Sequence, residues 1–212
     1  MRVQPINLAV LVSGSGTTLQ NLIDQPRAGP LDARIKLVIG SKPGLPALRR
    51  ARGARLPTDV VERKQFDGAQ SFSLRVFSLC DAAHVDLICL AGWLCLLDIP
   101  ARWEHKVMNV HPALLPAFGG SGMYGARVHQ AVLDHGCKVS GCTVHFVDNT
   151  YDNGPIILQK SCEVRDDDSA ETLARRVFEL EKVAYPEAIG LFQRGALRVD
   201  GRRVRILSVP PA

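Results

Sequence analysis

Short apolar runs alternate with helix-spaced stretches through the first half of the chain. Residues 8–12 are uninterrupted apolar and end in Ser13-Gly14-Ser15-Gly16, the pattern of a buried strand feeding a tight loop. Leu19, Leu22 and Ile23 then recur at helical spacing and predict a helix over residues 17–24. A second strand over 34–39 closes at Gly40-Ser41-Lys42-Pro43-Gly44, followed by a helix through 47–52, a short strand near Val60 and a helix over about 71–83. Residues 85–91 and 106–110 read as further buried strands, and a Gly-rich loop over 116–125 precedes a helix over about 126–135. Residues 140–147 and 156–164 fit two antiparallel strands whose hairpin turn holds Tyr151-Asp152-Asn153-Gly154. Residues 170–192 carry an apolar stripe at Leu173, Val177, Leu180, Ala184 and Ile189, and 197–200 with 204–207 form a last hairpin. The pattern predicts an α/β chain: a central, mostly parallel sheet with antiparallel strands in the C-terminal half.

A length of 212 residues fits one domain, with a first half over about 1–105 and a second over about 106–212. No apolar run is long enough for a membrane span, and Met1-Arg2-Val3-Gln4-Pro5 shows no secretory pattern, so a cytoplasmic protein is expected. The six cysteines, Cys80, Cys89, Cys95, Cys137, Cys142 and Cys162, include no Cys-x-x-Cys pair and read as reduced, small hydrophobic residues rather than a zinc site. The net charge of +5 is modest. Arginines cluster at 49, 50, 52 and 55 and again at 202, 203 and 205 without aromatic interleaving or a basic recognition helix, which argues against a nucleic-acid partner.

Three places carry candidate chemistry. Asn109 and His111 lie two apart at the end of a predicted strand, so both side chains share a face. An amide donor beside an imidazole suits a developing oxyanion, and the carboxylate of Asp152 could move protons or set the imidazole's charge. Asp152 alone is ordinary turn chemistry; the triple points to acyl transfer. The loop before the first helix, Gly16-Thr17-Thr18, presents backbone N–H groups and a helix N-terminus suited to a phosphate, or else is a tight turn capped by Thr17. It lacks the third glycine of a dinucleotide fingerprint and the Gly-Lys-Ser/Thr of a P-loop. His145 faces either core or cleft, His129 opens a helix, and Glu181 beside Lys182 reads on its own as a solvated ion pair.

Together these motifs closely resemble the phosphoribosylglycinamide formyltransferases, the folate-dependent glycinamide ribonucleotide transformylases of purine synthesis. The resemblance runs from about Leu8 to Leu197 and rests on Val12-Ser13-Gly14-Ser15-Gly16-Thr17-Thr18-Leu19-Gln20, Leu90-Ala91-Gly92-Trp93 and Asn109-Val110-His111-Pro112-Ala113-Leu114-Leu115-Pro116. Gly141-Cys142-Thr143-Val144-His145-Phe146-Val147 and Asp152-Asn153-Gly154-Pro155-Ile156-Ile157-Leu158-Gln159 complete it. It implies a formyltransferase-type Rossmann-like fold with helices on both faces of the sheet. It also implies formyl transfer from 10-formyltetrahydrofolate, as co-substrate and without a metal, to the primary amine of glycinamide ribonucleotide. On that likeness Asn109 and His111 bind the formyl oxygen, Asp152 assists proton transfer, and Gly16, Thr17 and Thr18 hold the phosphate. Glu181 holds the glycinamide end, and Leu94, Cys95, Leu96 and Leu97 line the folate pocket with Asn109 beside them. The chain departs from many relatives at Thr18, where asparagine is usual, and at Cys95 and Ala69, where arginines are expected. Its loop over 118–125 is also longer and richer in glycine. The alternatives are a formyltetrahydrofolate hydrolase and a non-catalytic nucleotide-binding module of the same fold. Methionyl-tRNA formyltransferases share the Asn-x-His-Pro motif but carry a further C-terminal domain, which is not expected in this chain. The hydrolases carry an extra N-terminal domain, also not expected here. Small-molecule substrates are the expected partners, and the oligomeric state is left open.

Overall fold

The computed structural model describes residues 4–25 and 31–208. The readings at Met1, at the extreme C-terminus and at residues 26–30 lie outside the described residues. The chain divides into two compact units, the first running to Met108 and the second beginning at Asn109, three residues beyond the boundary read from sequence.

In the first unit, β1 (Ile6–Val12), β2 (Ala33–Gly40), β3 (Thr58–Val60) and β4 (Leu87–Leu90) lie in the order β3-β2-β1-β4, and every pairing is parallel. The connections are α1 (Thr17–Asp24), α2 (Pro46–Gly53) and α3 (Ala69–Ala82). Residues 8–12 of β1 are all buried, as a continuous apolar run in a parallel sheet should be. Pro46 at the first position of α2 needs no N–H donor there, which is why that helix starts a residue before the sequence pattern indicates. β4 is shorter than the predicted 85–91 run because its flanks are spent otherwise. The N–H of Val85 closes the preceding helix on the Cys80 carbonyl, and the chain turns at Gly92.

β5 (Val107–His111) carries the chain into the second unit. There α4 (Ala126–Asp134) leads to β6 (Val139–Phe146) and β7 (Ile156–Glu163), an antiparallel pair, and to α5 (Ala170–Gln193). α5 packs on β6 and β7 and against α4. Its start is fixed by a reciprocal capping box between Ser169 and Thr172, and its buried residues include Leu173, Val177, Ala184 and Ile189 of the predicted stripe. β8 (Leu197–Asp200) and β9 (Arg203–Ile206) form the closing hairpin, with β9 parallel to β7 at one residue pair. The parallel pairings thus fall mostly in the first unit and the antiparallel ones in the second, the mixed α/β architecture expected from the sequence.

Candidate active site

The second unit gathers four side chains at the ends of β5 and β6 and in the turn before β7. Asp152 Oδ1 lies 3.5 Å from His111 Nδ1, accepts from Asn109 Nδ2 at 3.3 Å and sits 3.8 Å from His145 Nε2. Its other oxygen accepts from the Gly120 N–H at 3.0 Å. The amide, imidazole and carboxylate paired on chemical grounds in the sequence therefore meet in space. His145, left between core and cleft, joins them: it is 1% exposed and its Nε2 lies 3.2 Å from Asn109 Nδ2.

Hydrogen-bond partners assign the protons. His111 Nε2 lies 2.8 Å from the Phe118 carbonyl, which can only accept, so that nitrogen carries a hydrogen and Nδ1 is the face turned to Asp152. His145 Nδ1 likewise donates to the Phe146 carbonyl at 2.7 Å, leaving Nε2 to accept from the Asn109 amide. Both hydrogens of that amide thus point at acceptors, one of them the carboxylate.

Burial pushes the His111 imidazole below its ordinary pKa, and His145 adds to this; Asp152 and the Phe118 carbonyl oppose without overturning it. His111 is 3% exposed. Burial works on Asp152 in the other sense, raising its pKa. His145, His111 and the Gly120 N–H outweigh it, so the carboxyl stays below the ordinary value. The result is a carboxylate, favoured in its charged form, facing an imidazole whose charged form burial disfavours.

The backbone around the cluster is set by residues that the sequence motifs contained but that carried no role there. Thr143 Oγ1 accepts from Leu115 N–H at 3.0 Å and donates to the Ala113 carbonyl at 2.7 Å. Gln159 bonds the Leu115 carbonyl and the same hydroxyl, each at 2.9 Å. These bonds shape the loop that leaves His111 and turns Phe118 back onto it. At Gly119 a Cβ would stand 2.5 Å from Leu115 Cδ2 and 3.1 Å from Asp152 Cβ, so a side chain there would push on Leu115 and on the carboxylate's own stem. His129, at the fourth position of α4, is 4% exposed, and its Nδ1 has no hydrogen-bond partner among the described residues. Burial and the nearby His111 lower its pKa.

Glu181 is not the solvated ion pair that its neighbour suggests. Lys182 pairs with Glu179 at 2.7 Å, and burial, unopposed, pushes the Glu181 carboxyl up to about 8.

The first unit holds the other predicted binding segments side by side. α1 begins at Thr17 with Gly16 as its N-cap (φ 78°), and no side chain caps it, so ordinary capping by Thr17 does not occur. Its first N–H groups lie beyond the reach of intrahelical bonds. The loop is tied from behind by Arg50 Nε on the Ser15 carbonyl at 2.9 Å and by Ser13 Oγ accepting from Leu94 N–H at 3.1 Å. Ser13 N–H also bonds the Gly92 carbonyl at 3.2 Å, which joins the Gly-rich loop to the segment 92–97. In that segment Leu94 is 44% exposed and Leu97 is 1% exposed, with Cys95 and Leu96 between these extremes. Burial raises the Cys95 thiol pKa, and the nearby Arg63 opposes it.

Among the described residues no group of three or more His, Cys, Asp or Glu could hold a metal ion, and no helix is long and apolar enough to cross a membrane.

Comparison with known proteins gives a family. A trifunctional purine biosynthetic protein, adenosine-3, from Gallus gallus is 40% identical over 201 residues, covering 94% of this chain and 20% of that protein. The chain thus spans about a fifth of the length of that relative. A phosphoribosylglycinamide formyltransferase from Haemophilus influenzae is 36% identical, over 91% of this chain and 89% of its own length. Among solved structures, glycinamide ribonucleotide transformylase 1 from Symbiobacterium toebii superposes with a TM-score of 0.88 at 40% identity, over 96% of this chain and 95% of that one. With the formyl transferase family's sequence model matching residues 6–189 as well, the chain belongs to the formyl transferase family and stands there with the phosphoribosylglycinamide formyltransferases.

Proposed function

We propose that the chain transfers a formyl group from 10-formyltetrahydrofolate to the primary amine of glycinamide ribonucleotide. The observation that carries this reading is the meeting of Asp152 with His111 and Asn109 at 3.5 and 3.3 Å in a part-buried cluster. The neutral amine attacks the formyl carbon; a nitrogen–carbon bond forms and the carbonyl π electrons move to oxygen. Asn109 Nδ2–H and a protonated His111 Nδ1 hold that oxygen, and their hold tightens as the charge grows. The buried imidazole takes a proton from solvent as the oxyanion forms and returns it when the oxyanion collapses, so its charged hold favours the transition state over the ground state. Asp152 accepts the proton lost by the attacking nitrogen, the bond from carbon to the folate N10 breaks, and that proton ends on N10. No covalent enzyme intermediate is needed, because the positioned amine is itself a competent nucleophile.

Gly16, Thr17 and Thr18 hold the substrate phosphate through the N-terminus of α1, and Glu181 accepts hydrogen bonds from the glycinamide end. Leu94, Cys95, Leu96 and Leu97 line the folate site. Absorbance of the folate product, followed with and without glycinamide ribonucleotide, tests the reading. Product only in the presence of the amine is expected. Product without it would make the protein a hydrolase, and none in either case a binding module.

A further inference from the structure

Asp152 takes a left-handed backbone conformation (φ 52°), one that residues with a Cβ adopt only at a cost. Something must hold that turn, because its four polar contacts depend on where the turn aims the carboxylate. Part of the hold is local: Asp148 accepts from Thr150 N–H at 2.9 Å and from the Asn153 side-chain amide at 2.8 Å. The other part comes from the end of the second unit. β9 joins β7 at the single pair Ile156–Arg203, three residues past Asn153. From the adjoining hairpin turn Arg202 Nη2 donates to the Asn153 carbonyl at 2.7 Å. Asn153 is thus gripped at its side chain by Asp148 and at its carbonyl by Arg202, directly after the reacting carboxylate. The neighbouring Arg205 has a different job, pairing with Asp200 within the hairpin at 3.1 Å.

We propose that Arg202 is a positioning residue for the transfer reaction, its guanidinium fixing the turn that aims Asp152 at His111 and Asn109 and so making the β8–β9 hairpin part of the catalytic apparatus. This rests on the role given to Asp152 above. The planar fork of arginine suits it to hold a carbonyl in one orientation. A lysine keeps the charge and can still donate to that carbonyl, from a flexible ammonium in place of the planar fork.

The test measures formyl transfer from 10-formyltetrahydrofolate to glycinamide ribonucleotide across pH for Arg202→Ala, Arg202→Lys, Arg205→Ala and Asp152→Asn. Loss of one exposed, charge-assisted hydrogen bond is worth roughly a fivefold drop in kcat for Arg202→Ala. KM for both substrates stays within about twofold, since the residue touches neither. A loosened turn also frees Asp152 from the groups that favour its charge, so the acid limb of the kcat profile moves to higher pH. Arg202→Lys recovers most of the loss, and Arg205→Ala keeps wild-type turnover. Wild-type kcat and an unmoved acid limb in Arg202→Ala, with Asp152→Asn inactive, would overturn the positioning role and leave the reading of the site intact. Equal losses in Arg202→Ala and Arg205→Ala would also overturn it, reducing the hairpin to general support. If Asp152→Asn keeps its turnover, the catalytic reading itself fails and the role of Arg202 goes with it.

Discussion

In the loop over residues 13–18 the polar groups offered to a ligand are mostly backbone, whereas around Asp152 they are side chains. The loop leaves the N-terminus of α1 without a side-chain cap and is braced from behind by Arg50 and by the Gly92–Leu94 segment. Around Asp152 two buried imidazoles meet a half-buried amide and carboxylate, and His111 and Asp152 each bear on the other's pKa. A backbone cradle binds a fixed charge of the kind that a phosphate keeps throughout a reaction. A coupled side-chain cluster can change its proton inventory during one, and that capacity marks it as the place where bonds are made and broken.

The sharpest way to break the comparison is to take away the cluster's proton-handling groups. Asp152→Asn keeps the shape of the turn and removes the charge, and should lower turnover at least about 100-fold, the scale of one positioned acid–base group. His111→Ala should act similarly, and the double variant should lose less than the product of the two because the pair works as a unit. The acid limb carries the same signature. A folded-state pKa held below the ordinary 3.8 means that the carboxylate's contribution is complete above that value. It is lost only as pH falls through the depressed folded value. Asp152→Asn should abolish that limb, read from kcat between pH 3 and 7; a limb unchanged in the variant would belong to some other group.

The loop should answer differently. At Gly16 a Cβ would stand 2.7 Å from Ala47 Cα and Cβ, and φ is 78°, so Gly16→Ala must shift the cradle. Roughly a tenfold rise in KM for the ribonucleotide is expected, with kcat changed far less, because the lost contacts are the same in ground and transition states. A fall in kcat with KM unchanged would erase the distinction between the two regions.

How much of each region could be read in advance follows from the same contrast. Asn109 and His111 were legible because strand periodicity puts residues two apart on one face, and the Ser-Gly-Ser-Gly loop because a buried strand must end there. Asp152 was legible only in company, since Asp before Asn-Gly is frequent in turns of no consequence. His145 stayed open because polar and apolar residues are mixed along β6, which is buried on both faces from Ser140 to Phe146, so its sequence marks no single inward face. The Phe118 carbonyl and Gly120 N–H were illegible: backbone groups leave no mark in the residue code. The partnership of Arg202 with Asn153 spans 49 residues and is set by where the last hairpin docks, which local pattern does not encode. Glu181 was misjudged on local grounds because a neighbouring lysine in sequence points elsewhere on a helix; residues one apart do not face each other.

Glu181 sharpens the contrast from a third direction, with the smallest expected effect. Unlike Asp152, its charge is offset by no neighbour among the described residues, and burial raises the carboxyl from 4.5 to about 8. Below 4.5 both folded and unfolded chains hold the proton, and the side chain costs nothing in charge. Between 4.5 and 8 the unfolded chain ionises while the folded one resists, so stability drains away as pH rises through that window. Glu181→Gln removes the drain. At pH 5 the variant should unfold at nearly the wild-type midpoint. At pH 8 it should be more stable, by about 1 kcal/mol once the partial solvent contact of the side chain is allowed for. A stability difference that stays flat between the two pH values would mean that the Glu181 charge is already compensated. It would then resemble Asp152 rather than stand as an acceptor awaiting the donors of a ligand.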